Sequence, residues 1–333
     1  MATRPVSFGL ILPNRGVLFG ATSPAELLEL SEVAERSGCF DSIWVGDSIM
    51  AKPRLESITL LTAVAARTRR VKLGPACFAS FPLRHPVLLA YQWASLDLIA
   101  EGRTIMVACM GGGSQQAGGD FVNEFKTMSV PMGERAARME EGITVLRRLW
   151  SEEHVTMRGR FWEFDDVTIA PKPAQRPGPP IWIANNPQVF NVGPGTLSRA
   201  AERVARLADG WMTTMVTPEA FREAWERVRT ALRAAKRDPD QFPNALYFNV
   251  HIGEDRARAY EESKKFIDLY YMTDFPKETV DMWIAYGDVK ACAEHINRFI
   301  DAGVQLFTLR LTSWDQRGQL RRVVDELMPR LGR

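Results

Sequence analysis

Histidine and cysteine are scarce in this chain, and neither is clustered. The four cysteines, Cys39, Cys77, Cys109 and Cys292, include no C-x-x-C pair. In a chain of this size they read as reduced thiols rather than a disulfide frame. The four histidines are equally scattered, so a zinc site is not expected. Net charge is almost absent: 42 basic against 40 acidic residues leave +2. That balance gives no electrostatic footprint for nucleic acid or for an anionic membrane. No apolar run approaches the roughly 18 residues of a membrane span. Met1 to Phe8 lacks the apolar segment of a secretory leader, and the expected location is the cytoplasm. No fixed-period repeat, low-complexity stretch or domain boundary is visible, so one domain over residues 1–333 is expected.

What is present is alternation. Short β-type runs fall at 6–12, 41–45, 71–77, 104–109, 181–184, 211–214, 246–251 and 306–309. A helical pattern follows each. Ser23-Pro24-Ala25-Glu26 carries a capping box, with Ser at the N-cap, Pro at N1 and Glu at N3. Gly38 is placed to end that helix. Strands alternating with helices argue for βαβ units and a parallel sheet. Eight of them, with no dinucleotide fingerprint, favour a (β/α)8 TIM barrel over a doubly wound sheet, and a barrel needs about 250 residues. Three stretches break the rhythm: 111–132, 154–180 and 272–287. The second resembles a small hairpin around Arg158-Gly159-Arg160. Loops longer than about 12–15 residues are uncommon unless functional or disordered, so the first and third are candidate lids.

In a TIM barrel the reactive face is the C-terminal end of the strands. The residues expected there are short of acids and bases. Asp47 is the only carboxylate and His251 the only histidine at a strand end. There is no Ser-His-Asp order, carboxylate pair or metal cluster. Such poverty favours a bound cofactor that carries the chemistry while the protein orients and shelters it. Gly111-Gly112-Gly113 and Gly193-Pro194-Gly195 follow strands four and five. The second feeds a helix whose backbone N–H groups and dipole suit a phosphate. Asp47 is read as a site residue, and His251 as a proton donor or a satisfied core histidine.

Several strings, in order, resemble the luciferase-like monooxygenase family, which also holds deazaflavin-dependent enzymes. They are FDSIWVGD at 40–47, TRRVKLG at 68–74, LRHP at 83–86, Leu96-Asp97 through Glu101-Gly102-Arg103, Arg135 to Glu141, PIWI at 180–183, ADGW at 208–211 and Ala302-Gly303-Val304. The resemblance implies the same barrel, with a non-prolyl cis peptide at Ala76–Cys77 behind a flavin ring. It implies that Cys109, Gly111, Asn185, Gly193, Gly195 and Thr196 hold the ring edge and phosphate. The reading it favours is a two-component monooxygenase using reduced FMN from a separate flavin reductase, and dioxygen, on a small organic substrate with apolar parts. The alternative is hydride transfer with the deazaflavin coenzyme F420. A third reading is a non-catalytic flavin-binding relative. An Arg-poor loop after strand five points toward FMN, since the deazaflavin tail is polyanionic. A homodimer is expected from the family. Two positions depart from it: Ser48 stands where many members have His, and Gly112 where sugar-phosphate dehydrogenases of the deazaflavin branch have an acid.

Overall fold

A computed structural model describes residues 6–112, 118–186 and 194–332. Its strands are β1 (Ser7–Leu12), β2 (Ser42–Val45), β3 (Lys72–Pro75), β4 (Met106–Ala108), β5 (Val155–Arg158), β6 (Glu163–Val167), β7 (Ile181–Ala184), β8 (Gly210–Thr214), β9 (Asn244–Ile252), β10 (Ile284–Gly287) and β11 (Leu306–Leu311). The helices are α1 (Pro24–Ser37), α2 (Ser57–Arg67), α3 (Pro86–Ile99), α4 (Phe121–Thr127), α5 (Arg135–Ser151), α6 (Pro194–Leu207), α7 (Pro218–Ala234), α8 (Arg256–Tyr271), α9 (Lys277–Trp283), α10 (Val289–Asp301) and α11 (Gln316–Arg322).

Eight strands pair in parallel in the order β3-β2-β1-β11-β9-β8-β7-β4. Single bridges, Leu73 to Thr104 and Phe78 to Ala108, bring β4 back to β3. The sheet is thereby a nearly closed parallel barrel with helices between its strands, the architecture expected from the alternation. Local signals also hold. The Ser23 hydroxyl accepts from Glu26 N–H at 3.2 Å, and Gly38 ends α1 in the left-handed region. β5 and β6 form the antiparallel hairpin around residues 158–163.

The stretch 272–287 is not a loop, contrary to expectation. It contains α9 and then β10, which pairs in parallel with β9 from Asn249 to Ile252. The expectation missed β10 because IAYG is only four residues long and has no flanking turn residues before it. The stretch 111–132 likewise contains α4, capped by the Asp120 carboxylate on Asn123 N–H.

Large aromatics plug the barrel below its mouth. The Trp44 and Trp182 rings lie 6.4 Å apart. Their strands, β2 and β7, are not neighbours, so this contact crosses the interior. Small residues beside them make room: a Cβ on Gly74 would sit 2.8 Å from the Trp44 ring, and one on Gly210 would collide with Trp182. The two tryptophans lie two residues before Gly46 and Ala184. The plug therefore forms the floor of whatever space opens above those residues.

Candidate active site

Above that floor, at the C-terminal ends of the strands, lies a cavity of about 430 Å³. The structure brings seven of the expected site residues to its wall: Asp47, Ala76, Cys77, Cys109, Gly111, Asn185 and Thr196. They come from strand ends and loops spread over 150 positions of sequence, which only barrel closure unites. The Ala76–Cys77 peptide is cis. Gly195 lies in the first turn of α6 beside Thr196. Gly193 falls outside the described residues.

Two expectations about chemistry change. His251 is not at the cavity. β8 ends at Thr214, opposite Tyr247, and past that point β9 is flanked by β10 and β11. His251 thus lies beyond the rim, with Nδ1 2.9 Å from Thr312 O and Nε2 3.8 Å from the Glu262 carboxylate. Asp47 does reach the wall, but its carboxylate is occupied. One oxygen accepts from the Ser57 hydroxyl at 2.7 Å and the other from Ser80 N–H at 2.7 Å. The Arg84 guanidinium stands 3.5 Å away. Asp47 is a positioning residue that ties α2 to the turn after β3. Asp47→Ala is expected to cost about 2–4 kcal/mol of stability, because it strands buried donors and a guanidinium. Denaturant unfolding should register that loss together with any loss of turnover; a fall in turnover at unchanged stability would restore Asp47 as a catalytic residue.

Ser48 and Glu124 explain the loop that follows β2. Fully buried Glu124, on α4, accepts from the Ser48 hydroxyl (3.1 Å), Ile49 N–H (3.2 Å), Met50 N–H (3.2 Å) and Ala51 N–H. Ser48 Oγ in turn accepts from Lys52 N–H at 2.9 Å. A carboxylate that closes four donors is a strong anchor. Its effect is to aim Lys52 into the cavity.

Sequence reasoning gave no role to Lys52 or Arg310. The Lys52 ammonium lies 4.6 Å from the Tyr271 ring centroid and 5.0 Å from that of Phe121. Burial pushes its pKa down to about 7, and the positive charges of Arg54 and Arg310 add to the effect. Arg310, on β11, is 1% exposed and lies 3.7 Å from the Tyr270 ring centroid. It donates to the Tyr271 hydroxyl at 3.0 Å, and that hydroxyl is hydrogen-bonded to Tyr247. Burial works against the Arg310 charge, but the surrounding phenols outweigh it and hold the proton above the ordinary arginine range.

Across the cavity, Cys77 and Cys109 share a hydrogen bond between thiols. That bond, reinforced by burial, pushes the Cys77 pKa up, and the same bond draws that of Cys109 down. Asn185 Oδ1 accepts from Trp211 Nε1 at 2.7 Å. Arg135 and Arg227 also reach the wall. The strand ends were expected to be short of acids and bases. The described residues instead give the mouth five cations, Lys52, Arg54, Arg135, Arg227 and Arg310, against Asp47 alone.

Residues 6–278 match the model of the luciferase-like monooxygenase family. The chain belongs to that family. A curated relative from Nakamurella multipartita, an F420-dependent glucose-6-phosphate dehydrogenase, is 27% identical over 341 residues, covering 92% of this chain and 93% of its own. The oxygenase component of a flavin-dependent trigonelline monooxygenase from Acinetobacter baylyi is 32% identical over 167 residues, covering 48% of this chain and 42% of its own. Among solved structures, an F420-dependent secondary alcohol dehydrogenase superposes with a TM-score of 0.80 at 19% identity, over 98% of this chain and 99% of its own. This luciferase-like chain is therefore an oxidoreductase of the flavin- or F420-dependent kind. No helix among its described residues is long and apolar enough to cross a membrane, and no described cluster would hold a metal.

Proposed function

We propose that this chain transfers hydride between a small organic substrate and the deazaflavin coenzyme F420. The observation that carries this reading is a cationic flank on one side of the cavity. Arg135 opens α5 and Arg227 lies on α7, both on the wall and neither paired with a carboxylate among the described residues. Between them runs the first turn of α6, where Thr196 lines the cavity. The sequence had pointed to FMN because the loop after β7 is Arg-poor. The arginines come from neighbouring helices instead, and a polyanionic tail needs such a flank.

The cavity fits a planar ring with an anionic tail. Ala76, Cys77 and Cys109 give one small, uncharged face at the ends of β3 and β4, and Met212 and Ala184 an apolar wall at the ends of β8 and β7. The bound deazaflavin would supply a carbon that accepts or returns a hydride. The chain's residues do the rest. The Ala76–Cys77 turn and Cys109 would support the ring, Asn185 would border it, and Gly111 with the α6 turn would hold it from the edges. Phe121 and Trp283, from the two broken-rhythm stretches, cover the mouth and exclude water.

A second reading, a two-component FMN monooxygenase with a separate reductase, is supported by the 32% identity to the trigonelline oxygenase component over half the chain. Anaerobic titration separates the two. F420 binding at least about tenfold tighter than FMN or reduced FMN, a difference of about 1.4 kcal/mol, supports hydride transfer. Tighter reduced FMN, with a transient peroxyflavin absorbance on adding oxygen, would replace it. Arg227→Ala should weaken F420 by about fivefold at low salt, an exposed charge contact of ~1 kcal/mol, and by less at high salt. FMN, with one phosphate, should change by less than about twofold.

A further inference from the structure

Two thiols flank the weakest seam of the barrel. The other strand junctions are continuous ladders of three to six registered pairs. β3 and β4 are joined only by the single bridges Leu73 to Thr104 and Phe78 to Ala108. Cys77 precedes the second bridge on one chain, and Cys109 follows it on the other. Phe78 N–H donates to Val107 O at 2.8 Å there. Beyond the bridge the two chains still run together, since a Cβ on Gly111 would lie 3.1 Å from Ala79 O. Both cysteines line the cavity and both are half-buried. A small reagent that enters the cavity therefore meets both sulfurs at once.

The two sulfurs differ. Cys109 Sγ accepts from the Cys77 thiol and from the N–H groups of Gly111 and Met110. Gly111, at a φ of 74°, turns the loop back to present its N–H. The Cys77 hydrogen bond is the main cause that holds the Cys109 proton below the ordinary thiol range, against burial and the Asp47 charge. Cys77, the donor, keeps its proton more firmly. One sulfur is thus a readier nucleophile, and a second thiol already touches it. The other two cysteines are placed elsewhere. Cys39 precedes β2, at the opposite end of the barrel from the cavity. Cys292, on α10, is buried and donates to the carbonyls of His251 and Gly287 at 3.6 Å each.

We propose that Cys77 and Cys109 are a redox-active pair, which a peroxide entering the cavity converts to a reversible disulfide across the β3–β4 seam. The Cys109 thiolate attacks one peroxide oxygen and the O–O bond breaks. The sulfur becomes a sulfenic acid, and the other oxygen takes up the proton that Cys109 released and leaves as water. The Cys77 thiol then attacks the sulfenic sulfur. The S–O bond breaks, and the second oxygen leaves as water with the Cys77 proton. The two thiols lose two electrons and two protons, and one hydrogen peroxide is reduced to two waters. Drawing the sulfurs from hydrogen-bonding contact to a bond of about 2.05 Å reshapes the face on which a ring would rest, so oxidation weakens cofactor binding. That consequence rests on the reading of the cavity as a cofactor chamber; the bond itself does not.

The test treats the reduced full-length protein with hydrogen peroxide. Two of the four thiols are expected to disappear, with an intact mass lower by two hydrogens and no added oxygen. Unreduced peptides should show Cys77 joined to Cys109, and dithiothreitol should restore all four thiols. The pair should react at least about tenfold faster than Cys39, which lacks a donor thiol. Cys77→Ser should stop at a sulfenic acid on Cys109 that dimedone traps, whereas Cys109→Ser should leave Cys77 unoxidised over the same time. Four surviving thiols, oxygen added without a crosslink, or a crosslink that includes Cys39 would overturn the proposal, and the wild-type assay decides this even where a variant fails to fold. Anaerobic titration of the oxidised protein with F420 and FMN reads the consequence. Affinity should fall by at least about fivefold and return with dithiothreitol; an oxidised protein that binds within twofold of the reduced one would overturn the control of the ring face. Failure of the reduced protein to bind either cofactor would sink the cofactor reading instead and leave the crosslink result standing.

Discussion

Glu124→Ala should unfold at lower denaturant than wild type by the equivalent of about 3–5 kcal/mol, and should lose the cavity's cationic end as well. The reason is the number of donors that close on one carboxylate. The Ser48 hydroxyl and three successive backbone N–H groups, from Ile49 to Ala51, all point at it. Hydrogen bonds to a charged acceptor contribute about 1.5–3 kcal/mol each, and a buried donor left without a partner costs about 1–3 kcal/mol. Water entering the vacated space recovers part of that, which keeps the expected total well below the sum. For a chain of this size the thermal midpoint should fall by roughly 4–7 °C. The second readout is specific to the loop. Lys52 N–H bonds to Ser48 Oγ, so a loop released from Glu124 no longer holds Lys52 buried, and the pH dependence of stability that buried Lys52 imposes should fade. Glu124→Gln keeps the volume but offers one oxygen and an unwanted NH2, and should fall between the two. A pH dependence that persists unchanged in Glu124→Ala would show that Lys52 is held by something other than this anchor.

Much of the barrel was legible because its signals are local. Period-two apolar runs, the Ser23 capping box and Gly38 are read from neighbours in sequence, and each does what its chemistry implies. The strand ends then nominate site residues without any contact being known, and seven of the nominees do line one cavity. What was not legible depends on contacts between distant positions. Glu124 sits 73 to 76 residues from the groups it anchors, so nothing near Phe121 to Thr127 marks it as more than a helix acid. Lys52 reads as an ordinary loop lysine until that anchor turns it inward. Arg310 shares its strand face with Thr308 and Thr312, and only the tyrosines of β9 and α8 explain it. Asp47 and His251 failed differently. Both were chosen as the only titratable groups at strand ends. A strand end, however, fixes neither how far a strand outruns its neighbour nor which hydrogen bonds occupy a side chain. β9 outruns β8 and carries His251 past the mouth; Ser57 and Ser80 consume Asp47.

The departures from the family pattern acquire a physical sense in the same geometry. Where many members place His after β2, Ser48 is small enough to lie between Glu124 and Lys52 N–H and to bond both. At the position of the dehydrogenase acid, Gly112 packs against Phe121, whose ring a Cβ there would strike. Those two positions are thus occupied by a serine that anchors the loop and a glycine that admits an aromatic wall.

Lys52→Met should make the protein more stable near neutral pH, and the gain should fade as pH rises. Free in the unfolded chain, the amine keeps its proton up to its ordinary pKa of 10.5; in the fold it releases it near 7. Between those values the unfolded state binds one proton more, so wild-type stability rises with pH, by at most about 1.4 kcal/mol per unit. Below pH 7 both states are protonated, the slope vanishes and the full penalty of the buried charge is felt. Methionine has nearly the same shape and no charge, and so carries no such dependence. The difference in unfolding free energy between Lys52→Met and wild type should therefore narrow by about 2 kcal/mol from pH 7 to pH 9. Taking the difference removes every other titrating group common to both proteins. A pH-independent difference would mean that Lys52 keeps its proton in the fold.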